Sequence, residues 1–301
     1  MKEKTLVVMA AGMGSRFGGP KQITPIDESE NFIIDYSVYD AIEAGFKKVV
    51  FIIREEFDSI FKTTIGKRLE GKIKVEYAYQ KIDDIPVKLK RINERQKPWG
   101  TVQAVLAAKP YVDGDFIIIN ADDFYGRNAY IEAYNFLEND NKDYSYACIG
   151  YEFSKSTVGT ETVKRGILDL DGDVIKSIIE SSIEQKDGKI IAHPLNGNED
   201  FEIKEDTLVS MNLFAFKNDL FELLDNYFND FFKQDEDTVL KSEVLLPECL
   251  KDNIQNKTIK IISKNSNSKW LGMTYREDLE MVSKSLKKMR EDGQYPINLW
   301  K

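Results

Sequence analysis

The chain has 301 residues, of which 42% are hydrophobic and 31% charged, as is typical of a globular protein with a substantial core. Its net charge of −9 disfavours nonspecific binding to nucleic acid, so a phosphate ligand would require a local cluster of cations. Cys148 and Cys249 are too few for a disulfide framework or a zinc site and are predicted to be core thiols. Because no stretch approaches the ~18 apolar residues of a membrane span, we expect a cytoplasmic protein that does not bind membranes.

The stretch 6–22, LVVMAAGMGSRFGGPKQ, predicts a buried strand that ends in a glycine-rich, positively charged loop. Residues 6–9 form a continuous apolar run, as in the central strand of a parallel sheet. The small residues that let backbone N–H groups approach an anion include Ala11, Gly12 and Gly14. Arg16 and Lys21 add full positive charge in the same loop, which is therefore suited to a polyphosphate.

Strands and helices alternate through the first half, which predicts a parallel sheet with crossover helices. The predicted strands are 6–9, 49–53, 73–79 and 116–119, and the predicted helices are 32–44, 55–70, 101–109 and 128–139. Gly45 and Gly71 stand where helix C-caps are expected. The stretch 81–98 is polar and rich in charge, so we interpret it as a solvated surface excursion.

The second half predicts longer strands and hairpins. Its predicted strands are 145–152, 166–170, 174–179 and 208–216, with a hairpin turn at Asp171-Gly172, and the stretch 186–192 holds another turn at Asp187-Gly188. A closing helix over 276–290 has apolar residues at helical spacing, which indicates core packing. Since no Pro-rich linker or internal repeat interrupts the chain, residues 1–301 are expected to form one domain.

Two adjacent carboxylates, Asp122 and Asp123, follow the predicted strand 116–119. Such charges at the end of a buried strand are costly unless a cation or hydrogen-bond donors neutralise them. Magnesium, bound by a carboxylate and by substrate phosphates, meets this requirement. The alternative is a cap for the helix 128–139, but Asp122 lies several residues too early for that role.

The loop AAGMGSRFGGPKQ resembles the signature of the sugar-1-phosphate nucleotidyltransferases, or nucleotide-sugar pyrophosphorylases, and the resemblance continues through residues 23–53. It implies an α/β protein with a three-layer α/β/α, Rossmann-like and GT-A-like fold around a mostly parallel mixed sheet. It also implies a nucleotide-binding half (1–126), an acceptor-binding half (127–270) and a C-terminal helix (271–301). Mg²⁺ is the implied cofactor, and the implied partners are a nucleoside triphosphate and a sugar 1-phosphate.

The resemblance also implies which residues contact the nucleotide. Gly100 and Thr101 begin a Gly-x-x-x-Ala element that wraps the base, after a glutamine that pairs with a pyrimidine. Gln80 matches that glutamine and Gln103 is a second candidate, because an amide bonds O4 and N3–H of uracil or thymine together. Either glutamine is otherwise an ordinary surface residue. Asp122 matches the metal aspartate, with Asp123 as the near alternative.

On the acceptor side, the resemblance implies roles for Glu180, Asn212 and Glu243, the last in a helix near the sugar hydroxyls. The alternative for Glu243 is a carboxylate that caps a helix. Relatives often have Glu-Lys-Pro near residues 179–182, with the lysine on the sugar phosphate, but this chain lacks that lysine. We take Lys164 as its substitute, with an ordinary surface lysine as the alternative.

The sequence departs from the resembled pattern a second time at Gly272. Relatives often have Trp-x-Asp-x-Gly-Thr there, and the aspartate is their second metal ligand, whereas glycine holds that place here. Either Asp122 and substrate phosphates hold the metal alone, or a neighbour such as Asp278 or Asp123 replaces the aspartate.

The reaction implied is in-line attack of the acceptor phosphate on the α-phosphorus of UTP or dTTP, with loss of pyrophosphate. Arg16 is assigned to the β and γ phosphates, Lys21 to the α phosphate, and Mg²⁺ to Asp122. One alternative is a catalytically silent nucleotide-sugar-binding or regulatory protein of the same fold, motivated by the two departures. Another is a cytidylyltransferase for a non-sugar phosphate such as phosphocholine.

The spacing Gly12-x-Gly14 also occurs in dinucleotide-binding loops and raises the alternative of a nicotinamide oxidoreductase. That function requires an acidic ribose ligand about 20 residues on, at the end of the second strand. The predicted second strand ends instead at Arg54. The sequence does not indicate the oligomeric state.

Overall fold

The first half of the fold is built around a buried strand, β1 (Thr5–Met9). It lies between β2 (Lys48–Ile53) and β4 (Phe116–Asn120) and runs parallel to both, while β3 (Lys74–Tyr79) runs parallel to β2. Apolar side chains cover both faces of β1, β2 and β4, as predicted for central strands. The computed structural model describes residues 2–12, 23–156, 162–186, 188–273 and 276–301.

Helices cover both faces of this sheet and complete the three-layer arrangement. One face is covered by α1 (Ile33–Ala44), α2 (Asp58–Phe61), α3 (Lys67–Leu69) and α5 (Arg127–Asn139). The other is covered by α4 (Thr101–Ala108), α6 (Leu220–Phe231), α7 (Glu236–Lys241) and α8 (Leu246–Gln255). The predicted helix 55–70 contains a π-helical turn, Lys62–Gly66, between α2 and α3. Gly45 ends α1 at φ 115°, which confirms the predicted cap.

An antiparallel strand, β11 (Leu208–Phe216), pairs with β4 and continues the sheet into the second half. The further strands are β6 (Ser145–Glu152), β7 (Val163–Asp171), β8 (Val174–Lys186), β9 (Lys189–Pro194), β10 (Phe201–Ile203) and β12 (Lys260–Asn265). Within the described residues the sheet has eleven strands in the order β10-β9-β8-β12-β6-β11-β4-β1-β2-β3, with β7 paired to β8 and β11. The predicted hairpin about Gly172 is present and is longer than predicted.

A two-stranded sheet connects the C-terminal region to the segment that follows β4. It pairs β5 (Asp123–Phe124) with β13 (Leu271–Gly272), and α9 (Asp278–Glu291) follows. Val282 and Leu286 of α9 are fully buried against α1, which confirms that its apolar stripe is core. Both cysteines are fully buried as predicted, and no helix in the described part of the chain is long and apolar enough to cross a membrane.

The stretch 81–98 is only partly the solvated excursion that we predicted. Many of its side chains are exposed, but Arg95 is buried and stacks on the buried ring of Trp99 at 4.2 Å. The Arg95 guanidinium donates to the backbone oxygens of Lys97, Pro98, Leu240 and Ser242 at 2.7–2.8 Å. Arg95 therefore holds the stretch 81–98 against the end of α7, where the last carbonyls of a helix have no hydrogen-bond donors within the helix.

Replacing Arg95 by Met should lower the free energy of unfolding by about 3 kcal/mol, because buried carbonyls lose charged donors. Urea unfolding of the wild type and the variant measures this loss. Arg91→Met is the matched control, since Arg91 is exposed and its ion pairs with Glu94 and Asp237 face solvent. Equal losses in the two variants would contradict the role assigned to Arg95.

Candidate functional site

The end of β1 and the end of β4 lie side by side at one edge of the sheet. Met9 is paired with Asn120, and the Ala121 N–H donates to the Met9 carbonyl at 3.1 Å. The predicted phosphate loop and the acidic turn therefore leave the sheet from adjacent positions, where open α/β sheets bind ligands. Of the predicted loop residues, buried Ala11 and exposed Gly12 follow β1 directly. Gly14, Arg16 and Lys21 lie outside the described residues, so their roles stay predictions.

The acidic turn is held by a network around Asp123, which is buried. Oδ2 of Asp123 accepts from the Asn120 side-chain amide at 2.8 Å and lies 3.3 Å from the Tyr125 hydroxyl. That hydroxyl accepts from the Asn120 N–H at 3.1 Å and donates to the Met211 carbonyl of β11 at 2.9 Å. The partly exposed Asp122 accepts from the Met273 N–H at 3.2 Å through its backbone oxygen.

Gly272 lies directly opposite Asp123 in the β5–β13 pair. A Cβ atom on Gly272 would lie 3.1 Å from Oδ1 of Asp123 and 2.1 Å from the Trp270 ring. The position that carries an aspartate in the resembled family therefore adjoins the Asp123 carboxylate, and the Trp270 ring fills its side-chain space. Of the two named neighbours, the structure brings Asp123 to this position.

The donors present fit a magnesium ion that substrate phosphates also coordinate. Within the described ranges, no three His, Cys, Asp or Glu side chains are grouped as a metal centre. Magnesium commonly uses only one or two carboxylates together with phosphate oxygens and water. Asp122 and Asp123 at a strand end supply such a pair.

The start of α4 is locked against the link between α7 and α8. Gly100 has φ 99°, and a Cβ atom there would lie 2.5 Å from the Val244 carbonyl. The Val244 N–H donates to Trp99 at 2.7 Å, and the Thr101 hydroxyl oxygen accepts from the Leu246 N–H at 2.7 Å. Only glycine fits this close backbone approach, which accounts for Gly100 at the start of the predicted base-wrapping element.

The two glutamines differ in how their amides are used. Gln103 is buried, donates to the carbonyls of Lys81 (2.5 Å) and Asp84 (3.0 Å), and accepts from the Trp99 N–H (3.2 Å). This amide holds the local backbone, a structural role that the sequence did not indicate. Gln80 is partly exposed, and its Nε2 donates to Gly100 (2.9 Å) and to Gln103 (3.2 Å).

Asn212 is presented by a bulge in β11. The pairing of β11 with β6 shifts between Ser210 and Phe214, and Asn212 has φ 62°, which is uncommon for a residue other than glycine. Its side chain is exposed, and the preceding Met211 carbonyl accepts from Tyr125. Asn212 therefore follows a residue that is hydrogen-bonded to the acidic turn, and its contact with the acceptor stays a prediction.

The other two acceptor candidates, Glu180 and Glu243, are exposed residues. Glu180 is paired with Gly166 across the β7–β8 hairpin, where a Cβ on Gly166 would lie 2.9 Å from Oε1 of Glu180. Glu243 is exposed in the extended link between α7 and α8, so the expectation that it lies in a helix is wrong. Because Val244 pairs with the start of α4, this link follows the wall of the predicted base site.

Lys164 and its neighbour Arg165 point to opposite faces of β7, because side chains alternate along a strand. Lys164 is exposed, whereas Arg165 shares the face of buried Ile167 and stacks on the Trp270 ring at 4.7 Å. Burial lowers the pKa of Arg165 to about 10, and the charge of Asp123 partly opposes this shift. Arg165 is thus the cation on the buried face of β7, whereas the role expected for the exposed Lys164 stays a prediction.

Comparisons with known proteins agree with this architecture. The sequence profile of a family described as Nucleotidyl transferase matches residues 5–253, whereas no curated protein matches the chain. The inositol-1-phosphate CTP transferase from T. maritima is 13% identical at a TM-score of 0.62, covering 97% of this chain and 98% of that one. A UDP-glucose pyrophosphorylase complexed with UDP-glucose is 20% identical at a TM-score of 0.62, covering 96% of this chain and 100% of that one.

A third structure, a putative glucose-1-phosphate thymidylyltransferase from Bacillus anthracis in complex with a sucrose, is 13% identical. Its TM-score is 0.59, and the alignment covers 94% of both chains. At these identities the three structures share the fold, which confirms the predicted α/β class.

Replacing Gly272 by Ala should destabilise the protein by about 1–3 kcal/mol, because the added methyl group meets the Trp270 ring. Urea unfolding gives the loss. The same substitution in a Trp270→Leu background should cost less, since the smaller side chain leaves room. Equal costs in both backgrounds would mean that the ring is not the obstacle.

Proposed function

Because the chain belongs to the nucleotidyl transferase family, we propose that it condenses UTP or dTTP with a sugar 1-phosphate to give a nucleotide sugar and pyrophosphate. The observation that carries this proposal is the adjacency of two strand ends. The phosphate loop follows Met9, and the carboxylates Asp122 and Asp123 follow Asn120, its partner in the parallel pair. Groups that bind a polyphosphate and groups that bind its metal ion thus start from neighbouring positions.

The reaction requires no nucleophile or base from the protein, because the attacking acceptor phosphate is already an anion. An oxygen of the sugar phosphate bonds to the α-phosphorus, and the bond from that phosphorus to the pyrophosphate oxygen breaks. Catalysis then depends on in-line positioning and on neutralising the charge of the phosphates. We assign Arg16 to the β and γ phosphates and Lys21 to the α phosphate.

Asp122 and Asp123 are the residues proposed to hold Mg²⁺. When bound, the ion neutralises phosphate charge between the nucleotide and the acceptor. Asp122 is the more accessible of the two carboxylates. Asp123 is oriented by Asn120 and Tyr125, as a ligand that must keep one position is expected to be.

Gln80 is the residue proposed to contact the base, and Gln103 supports it. The Nε2 atom of Gln80 donates to Gly100 and Gln103, so its Oε1 atom is available to accept from N3–H of uracil or thymine. The amide of Gln103 is used by the backbone and by Gln80. The fold therefore favours Gln80 over Gln103 as the base contact.

A cytidylyltransferase is the second candidate. The Oε1 atom of Gln80 is also suited to accept from the amino group of cytosine. In addition, the T. maritima CTP transferase has the same TM-score, 0.62, as the UDP-glucose pyrophosphorylase. A direct comparison of CTP with UTP and dTTP decides between the two candidates.

The test is pyrophosphate release by the purified protein with magnesium. Each of the five common nucleoside triphosphates is combined with each of a panel of phosphorylated acceptors, which are sugar 1-phosphates and phosphocholine. Release that requires both one triphosphate and one phosphorylated acceptor would establish the activity. Nucleotide binding without release for any pair would instead support the regulatory alternative.

Asp122→Asn should reduce turnover by on the order of 100-fold and raise the magnesium concentration needed for half activity, because the metal loses a charged ligand. Its thermal midpoint should change little. Asp113→Asn is a suitable control, since Asp113 is exposed beyond the amino end of β4. Full magnesium-dependent activity in Asp122→Asn would refute the metal assignment.

Gln80→Met should raise KM for the preferred triphosphate by on the order of 10-fold, because one hydrogen bond to the base is lost. Gln103→Met should instead lower the unfolding free energy, since its amide holds the backbone at Lys81 and Asp84. Steady-state kinetics and urea unfolding of both variants separate these effects. Unchanged discrimination among triphosphates in Gln80→Met would exclude it as the base contact.

A further inference from the structure

Arg165 stands on a mostly apolar face of the β7–β8 hairpin. The residues that share this face are Val163, Ile167, Ile179 and Ile183, all packed in the core. Directly opposite Arg165 is Ser181, a short and fully buried residue whose hydroxyl donates to the Ile179 carbonyl at 3.1 Å. A guanidinium is costly among such neighbours unless an anion compensates for its lost hydration.

The protein itself uses only part of the Arg165 guanidinium. Nη1 and Nη2 donate to the backbone oxygens of Lys164 (2.8 Å) and Ser156 (2.7 Å). The Nε atom of Arg165 is buried without a hydrogen-bond partner. A buried donor left unpaired is energetically unfavourable. The guanidinium of Arg165 is therefore suited to binding a ligand that accepts hydrogen bonds.

Two chains of contacts connect Arg165 to the candidate site. Its guanidinium lies over Trp270, whose ring reaches to the Cβ position of Gly272, and Gly272 faces Asp123. On the other side, Gly166, which follows Arg165, pairs with Ser210 in antiparallel β7 and β11, and Met211 follows Ser210. The Met211 carbonyl accepts a hydrogen bond from the Tyr125 hydroxyl, and Asn212 follows Met211.

We propose that the Arg165 guanidinium binds the phosphate group of the acceptor. This inference rests on the proposed function and replaces Lys164 as the acceptor cation. Arginine presents its N–H groups in a planar fork that matches phosphate oxygens, and stacking on Trp270 fixes the plane of that fork before the ligand arrives. Arg165 thereby takes the cationic role that a lysine near residues 179–182 has in the resembled family, from the strand opposite Ser181.

The test starts from the pair of substrates that gives pyrophosphate with the wild type. Arg165→Met should lower kcat/KM for the acceptor by on the order of 10-fold to 100-fold, while KM for the triphosphate stays within about 2-fold. Arg165→Lys keeps the charge without the fork and should show a smaller loss. Lys164→Met should affect the acceptor less than Arg165→Met, and the exposed Lys176→Met serves as the neutral control.

Each remaining outcome has a definite meaning. Wild-type silence with every pair overturns the proposed function and this inference together. With an active wild type, unchanged acceptor kinetics in Arg165→Met overturn the inference alone, as do equal losses for both substrates with a lowered thermal midpoint. If Arg165→Met does not fold, the inference is overturned by wild-type acceptor kinetics in Arg165→Lys. It is also overturned if Lys164→Met loses more kcat/KM for the acceptor than Arg165→Lys does.

Discussion

The hydroxyl of Tyr125 joins the two halves of the candidate site. It is fully buried and contacts Asp123, the Asn120 N–H and the Met211 carbonyl, so one group connects the acidic turn to β11. A carboxylate at the end of a buried strand needs a donor because hydration is lost there, and the Asn120 side-chain amide donates to Asp123. The hydrogen bond from Tyr125 to Met211 holds the bulge that presents Asn212. The positions proposed for the metal ion and for the acceptor therefore depend on each other through a single side chain.

Much of the first half could be predicted because its signals are local. Continuous apolar runs mark β1, β2 and β4, and a parallel sheet places their carboxyl ends together, so the location of Asp122 and Asp123 followed from the sequence. Arg95 could not be predicted in this way. Its partners include backbone oxygens of Leu240 and Ser242, about 145 positions away, and nothing in a charged stretch shows that one arginine is buried.

The burial of Arg165 was missed for a different reason, although the sequence pattern indicates it. Val163, Arg165 and Ile167 alternate with Lys164 and Gly166, so period-two spacing already placed Arg165 with the apolar residues. The resembled pattern favoured Lys164 instead, as a substitute for the lysine that is missing near residues 179–182. Alternation shows which face a side chain takes, but only the strand register shows that Arg165 lies opposite Ser181.

The two departures from the resembled pattern are physically linked through Trp270. Its ring occupies the space that any side chain at position 272 would need, and the same ring supports the Arg165 guanidinium. Glycine at 272 is therefore a condition for this placement of the tryptophan. Asp123, which pairs with Gly272, is the carboxylate that we propose in place of the missing aspartate, and Arg165, which pairs with Ser181, is the cation that we propose in place of the missing lysine. A site that binds phosphates and a metal ion requires charged side chains at particular positions in space. A neighbouring strand can provide such a side chain as well as the strand that carries it in the resembled family.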